Sequence, residues 1–286
     1  MVLAESLAIS AAFLWGLAAI ALRRGLVNSN TWTALAFSLP MGPPLYLVLV
    51  MLAGESLNLS TQAILFFVVS GLVALGARGI SFLSIDRVGA SVSTTLLGTK
   101  PFFASLIAIT LLGEEMTIQI ALGTMLIFIG ITILHLGRER GRTFQKRHLL
   151  LPITASAGFA IFDILVRVGV LFSNSPLAGS FYSAIGGLVV FSAVVIPTRK
   201  RMIKTNSKSI KHFAVAGFAI TAAIAAQFIA FSLGNVIIIA PLTSTMPFFA
   251  VILAAMFLRD LERVGQRTLF SALFIVAGAV MIVFRW

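Results

Sequence analysis

The stretch Gly98-Thr99-Lys100-Pro101-Phe102-Phe103, GTKPFF, lies inside a long apolar run, and a near copy, Ser244-Thr245-Met246-Pro247-Phe248-Phe249, STMPFF, lies inside another. The copy keeps the proline and both phenylalanines and replaces the lysine with methionine. The likeness extends outward. The shift that lays Pro101 on Pro247 carries TLLGTKPFFASLIAITLLGE (95–114) along APLTSTMPFFAVILAAMFLRD (240–260). After a two-residue insertion, Glu114 falls on Glu262 and Gly130 on Gly278. Upstream, RRG (23–25) falls on RVG (167–169). The chain reads as two copies of one unit, residues 1–140 and 141–286.

Composition says where such a chain lives. Of 286 residues, 59% are hydrophobic and only 10% charged, with a mean hydropathy of +1.07. A soluble domain is about a quarter charged. So few charges cannot cover a water-facing surface, which makes this an all-α integral membrane protein. Cysteine is absent, which excludes a disulfide framework and thiol chemistry. The net charge of +12 would suggest nucleic acid on a soluble protein. Here the basic residues fall in short loops, so membrane topology and anionic headgroups account for them.

A bilayer core of ~30 Å needs ~20 apolar residues as helix. Ten runs qualify: 3–22, 32–52, 63–83, 89–112, 117–137, 149–171, 178–197, 212–232, 237–258 and 266–284. The first lacks the basic leader of a signal peptide and is expected to be retained. One set of loops carries Arg23, Arg24, Arg87, Arg138, Arg140, Arg142, Lys146 and Arg147. The same set continues with Arg199, Lys200, Arg201, Lys204, Lys208, Lys211, Arg259, Arg263 and Arg267. The other carries Glu5, Glu55, Glu114 and Glu115, with Arg285 its one base. The positive-inside rule places the first set in the cytoplasm and both termini outside. Each unit holds five spans. Five is odd, so the second unit enters the membrane inverted. Inverted repeats meeting near the midplane are the architecture of secondary transporters.

Several segments carry a resemblance that covers the whole chain: FLWG (13–16) leading to RRG, DRVGASVS (86–93), Pro-Phe-Phe in the fourth and ninth spans, LGE (112–114), and GTMLIFIGITIL (123–134). In this order, and twice over, they resemble the EamA-like branch of the drug/metabolite transporter superfamily. The resemblance implies ten helices around a central cavity lined mainly by spans 3, 4, 8 and 9. It implies transport of small metabolites, often export of amino acids. Members are often drawn with cytoplasmic termini. The charges here point the other way, and we follow them to a prokaryotic plasma membrane with basic loops inside.

The two copies sort the polar residues. Features in both are scaffold; features in one alone point to substrate or coupling. Pro101 and Pro247 are shared, and each lacks a backbone donor, so they read as packing kinks or hinges near mid-membrane. Gly123, Gly130 and Gly137 recur at heptad spacing, with Ser271 and Gly278 at matching places. They read as a close-contact seam joining the halves or forming a dimer. Lys100 is matched by Met246. A lysine at mid-membrane costs ~2.5–3.5 kcal/mol on insertion scales, so it is expected to face protein or water, held by helix-end carbonyls or binding a substrate anion. Arg78, in GARGIS, is matched by Ile224 and either snorkels or shares that field. Asp163 is the one acid deep in a span and is matched by Ala19. It is expected to pair with Arg167 four residues on, to balance Lys100, or to carry a coupling proton. Ser93, Thr94, Thr95, Thr99, Gln227, Thr243, Ser244 and Thr245 are neutral candidates, each able instead to bond its own helix backbone. Trp15 is the better cavity aromatic than Trp32 or Tyr182.

Nothing in the sequence points to an enzyme, a metal or a cofactor. His135, His148 and His212 sit at span ends, and no nucleophile elbow or phosphate-binding glycine loop is present. The expectation is a secondary active transporter, an exporter of small metabolites such as amino acids, working by alternating access. Substrate-binding residues would be Lys100, Arg78, Thr94, Thr95, Thr99, Gln227, Thr243, Ser244 and Trp15. Asp163 would serve coupling or charge balance. The rivals are an exchanger of sugar phosphates or carboxylates and, from another class, a channel or a non-transporting scaffold. The partners are a small solute, the bilayer and a coupling proton, with no nucleic acid. Monomer and homodimer both stay open.

Overall fold

The computed structural model of the protein describes residues 2–135, 145–199, 203, 207–257 and 266–284. Gly137, Arg138, Arg140, Arg142, Lys200, Arg201, Lys204, Arg259, Glu262, Arg263 and Arg285 lie outside them. The described residues form helices and short connections, with no strand among them. A lipid-exposed backbone must satisfy its polar groups within its own segment, and the helix does so.

Helix α1 (Val2–Leu26) is followed by α2 (Thr31–Ser38), which runs through a 3₁₀ turn at Leu39–Met41 into α3 (Gly42–Ala53). Then come α4 (Thr61–Val88), α5 (Ala90–Leu97), α6 (Lys100–Leu112) and α7 (Ile118–His135). A 3₁₀ turn at Lys146–Leu149 leads into α8 (Leu150–Ser173). Helix α9 (Pro176–Val190) passes through a π turn at Phe191–Val195 into α10 (Ile196–Arg199). The chain ends with α11 (Ser207–Leu233), α12 (Val236–Thr243), α13 (Met246–Phe257) and α14 (Gln266–Val283). Among the described residues, eight segments, single helices or joined pieces, are long and apolar enough to cross a membrane. Two shorter apolar stretches, Ile118–Leu134 and Arg267–Val283, belong to α7 and α14.

The ends of these helices are chemically marked. Asn30 accepts from Thr33 N at 3.0 Å and Ser60 from Ala63 N at 3.2 Å, opening α2 and α4. Gly54 and Gly113 close α3 and α6 at φ 67° and 65°, where a side chain would be strained. Two acids cap helices from elsewhere in the chain. Glu55 accepts from Ala178 N at the start of α9 at 3.0 Å. Glu114 accepts from both Val236 N and Ile237 N, each at 3.0 Å, at the start of α12. A carboxylate there meets unpaired donors and the positive end of the helix dipole.

The two prolines do more than bend a helix. Each follows a two-residue turn and sits in the first turn of the next helix. The turns share one bonding pattern. Gly98 N donates to Thr94 O and Thr95 O, Thr99 N to Leu96 O, and Phe102 N to Thr99 O. In the second copy Ser244 N donates to Ala240 O and Pro241 O, Thr245 N to Leu242 O, and Phe248 N to Thr245 O. The threonine hydroxyls also match: Thr99 bonds Leu96 O at 2.6 Å and Thr245 bonds Leu242 O at 2.7 Å.

Packing pairs α1 with α11 and α4 with α8, and at the edge α7 with α14. Phe213 of α11 lies against Gly25 of α1, and Phe67 of α4 lies against Gly169 of α8. Both rings are fully buried. The glycine seam is internal. A Cβ on Gly123 would stand 2.8 Å from Gly278 O, and one on Gly130 would stand 2.9 Å from Ser271 O. The small residues therefore join α7 to α14 within one chain.

Candidate functional site

Lys100 is the first residue of α6. A cation at a helix N-terminus faces the unfavourable end of the dipole, so its charge has to be met by something else. It is met twice. Lys100 Nζ lies 2.7 Å from Asp163 Oδ2 of α8. It also donates to Thr243 Oγ1 at 3.4 Å, at the C-terminal, partially negative end of α12. The Thr243 hydroxyl is free to accept because its own proton goes to Ala240 O at 3.0 Å.

Asp163 is fully buried. Its other oxygen, Oδ1, accepts from Gln227 Nε2 of α11 at 2.9 Å. The Gln227 oxygen in turn accepts from Trp15 Nε1 of α1 at 3.3 Å. The amide orientation follows from these neighbours, since its NH₂ meets a carboxylate and its oxygen meets an indole donor. The far side of the network is Arg78 of α4, whose guanidinium carbon sits 5.9 Å from the centroid of the Trp15 ring. Six helices thus contribute Arg78, Trp15, Gln227, Asp163, Lys100 and Thr243 to one continuous polar chain.

These six side chains line a cavity of about 380 Å³ whose other walls are largely apolar. Thr94, Ser244 and Pro247 also reach it. Thr95, Thr99 and Pro101 do not line it, although the sequence grouped them with those that do. Thr99 turns instead to Leu96 O and to Ser156 Oγ, 3.0 Å away on α8. Ser156 also donates to Leu97 O at 3.3 Å, a carbonyl left without its helical donor by Pro101. Ser93 pairs with Ser84, and Tyr182 donates to Leu57 O at 2.8 Å; both lie away from the cavity.

The expected pairing of Asp163 with Arg167 is not what forms. Asp163 turns inward to Lys100. Arg167 donates to Phe231 O at 2.6 Å and lies 3.9 Å from Glu114, among the groups that hold the α11–α12 connection. Sequence spacing puts the two on neighbouring turns but does not say that another helix supplies the better partner. Residues that sequence reasoning missed are Tyr46, Thr221, Ser183, Phe159 and Phe162, all of which line the cavity. Tyr46 carried one signal: it is a buried phenol in mid-span, in a chain with two tyrosines.

Among the described residues, no group of His, Cys, Asp and Glu is arranged to hold a metal ion. The cavity has a polar spine, two cations, one acid and greasy walls, which suits reversible binding of a small charged solute.

Known proteins share this architecture. A crystal structure with 15% sequence identity superposes with a TM-score of 0.81, over 97% of this chain and 95% of the other. A curated protein of Archaeoglobus fulgidus, described as an uncharacterized transporter, is 22% identical over 277 residues, 96% of each chain. The EamA-like transporter family matches residues 2–136 and 146–284. With nearly every residue covered, this multi-pass membrane protein belongs to the EamA-like transporter family.

Proposed function

We propose that the protein is a secondary active transporter of small metabolites that works by alternating access. Its two units, residues 1–140 and 141–286, are taken as inverted five-helix repeats that rock about the central cavity. On this reading α7 and α14 complete a set of ten spans. The 18 residues of α7 rise about 27 Å at 1.5 Å per residue, close to the ~30 Å of a bilayer core. The matched hydrogen bonding at the two helix breaks supports a common unit. Basic loops face the cytoplasm and the termini face out.

The observation that carries the proposal is the Lys100–Asp163 pair. It joins a residue of the first unit to one of the second, between broken helices, on the wall of the cavity. A buried ion pair is a poor source of stability against apolar side chains of the same size. Its presence in one copy only suits a working role, with the pair exchanging partners as solute enters. Asp163 then balances charge or carries a proton. Amino acid export is the reading inherited from the family resemblance. Arg78, the second cation, favours the alternative, an exchanger of anionic metabolites.

Transport by Lys100→Met in proteoliposomes tests this. We expect saturable uptake and counterflow in the native protein, and loss of both in the variant. Equal uptake by a folded, correctly inserted variant refutes the role of the pair. Flux without saturation or counterflow points to a channel. No solute-dependent stabilisation by any small metabolite points to a scaffold, because a bound solute adds RT ln(1 + [L]/Kd) to stability.

A further inference from the structure

The charges around the cavity do not balance, and the imbalance names a class of substrate. Among the described residues lining it, the cations are Arg78 and Lys100 and the one carboxylate is Asp163. Lys100 and Asp163 neutralise each other at 2.7 Å. The second Asp163 oxygen is taken by Gln227. Arg78 has no such partner. Among the described residues no carboxylate pairs with it, and it meets the face of Trp15 and the neighbourhood of Tyr46. An arginine cannot shed its proton to escape the cost of burial. Its fork of donors matches the two oxygens of a carboxylate.

What the cavity lacks is as informative. A zwitterionic amino acid brings an ammonium group that needs an acceptor of its own. The acid that would receive it already has its charge met by Lys100 at 2.7 Å. The cavity therefore offers one unmet positive charge and no unmet negative charge. Its remaining walls, among them Leu75, Phe159, Phe162, Ile220 and Ile224, are largely apolar, with neutral hydroxyls such as Ser183, Thr94 and Ser244 between them. A volume of about 380 Å³ holds a single ring with a short side chain. A dianion would bring one charge more than the residual cation can meet.

We infer that the solute is a monocarboxylate with an apolar or aromatic body, its carboxylate on Arg78 and its body against the Phe159–Phe162 wall, and that zwitterionic amino acids are poor ligands. This rests on the transporter reading of the same cavity and sharpens it. Lys100 and Asp163 then act on each other and set the charge of the site, while Arg78 does the recognising. Tyr46 and Thr221 line the same cavity.

The test uses purified full-length protein and four probes of similar bulk: 3-phenylpropionate, its neutral amide, L-phenylalanine and phenyl phosphate. Thermal stabilisation and competition binding are read for each. We expect 3-phenylpropionate to bind about ten- to a hundredfold more tightly than its amide, the range of one charge-assisted contact, and L-phenylalanine and phenyl phosphate to fall below it. In Arg78→Gln the acid and the amide should become equal. That ratio is taken within one variant, so lowered stability does not mimic it, and the native panel stands alone if the variant fails to fold. Tighter binding of L-phenylalanine or phenyl phosphate overturns the monocarboxylate class. So does an unchanged acid-to-amide ratio in Arg78→Gln, or no response to 3-phenylpropionate at millimolar concentration. Proteoliposome counterflow separates this from the broader proposal: saturable exchange of a zwitterion would sustain transport and sink the inference.

Discussion

The energetic weight of the Lys100–Asp163 pair can be measured by neutralising each partner alone and both together. At 2.7 Å and an effective dielectric of 20, two unit charges attract by about 6 kcal/mol. Most of that is offset by taking both groups out of water. The net worth of the pair is therefore small, while the cost of orphaning one member is large. Lys100→Met leaves Asp163, with no exposed surface, facing Gln227 alone, and should destabilise the fold by about 3–5 kcal/mol. Asp163→Asn leaves an ammonium whose side chain keeps 16% exposure toward the cavity, so it should fall at the lower end of that range. The double variant should return to within about 1 kcal/mol of the native protein, since it removes two buried charges at once. Methionine is a reasonable replacement because Met246 already occupies the matching place in the first turn of α13. Reversible unfolding in mixed detergent micelles gives the four free energies and the coupling between the sites. If the loss in the double variant equals the sum of the single losses, the two groups are not coupled and the pair is not formed.

Three further outcomes follow from particular contacts. Gly123→Ala places a methyl 2.6 Å from Ile282 Cγ1 and 2.8 Å from Gly278 O, and should lower stability by about 1–3 kcal/mol. Gly76→Ala, with nothing within 4 Å, should lower it not at all; equal melting temperatures for the two would refute the internal α7–α14 seam. Glu114→Gln can accept only one of the two donors at the head of α12, and a loss of about 1–2 kcal/mol is expected in the same unfolding assay. Trp15→Phe keeps a ring beneath Arg78 but removes the donor to Gln227, and should cost about 1 kcal/mol; an unchanged unfolding free energy would show that the Trp15–Gln227 bond contributes nothing.

The fold was legible where physics acts along the chain. Apolar run length announced membrane helices, and proline in GTKPFF announced an irregularity at mid-span. What it could not announce was that the chain would tighten into a turn at Gly98–Thr99 and again at Ser244–Thr245, dividing each span into two helical pieces. Lys100, Asp163 and Arg78 stood out because a charge in an apolar run is costly wherever it points. Which of the weighed partners each would take was hidden. Arg167 is the neighbour of Asp163 along α8, and only the crossing of α6 over α8 puts Lys100 closer. Thr221 was silent for a different reason. A hydroxyl in a membrane helix can satisfy itself on its own backbone, as Thr221 does on Gly217 O at 2.8 Å, so its presence in sequence carries little information about a cavity.

Why the charges are confined to one copy can be argued from the site itself. The backbone break is duplicated, so each unit offers a helix N-terminus, α6 or α13, beside the C-terminus of the other unit's broken helix or its own. Were a lysine to stand at both, three cations would share one cavity with one acid. Met246 avoids that, and Ala19 avoids the mirror image of Asp163. The single pair that remains spans the two proposed units. Any rocking of one against the other must change the distance from Lys100 to Asp163. A separation costs attraction that has to be replaced. An anion arriving near Arg78 raises the negative potential felt by Lys100 and competes with Asp163 for it. Under the proposed alternating access, solute binding and the relative position of the units would be linked through a single contact. The linkage needs no long path through the protein, because Trp15 and Gln227 already join Arg78 to Asp163 by direct contact.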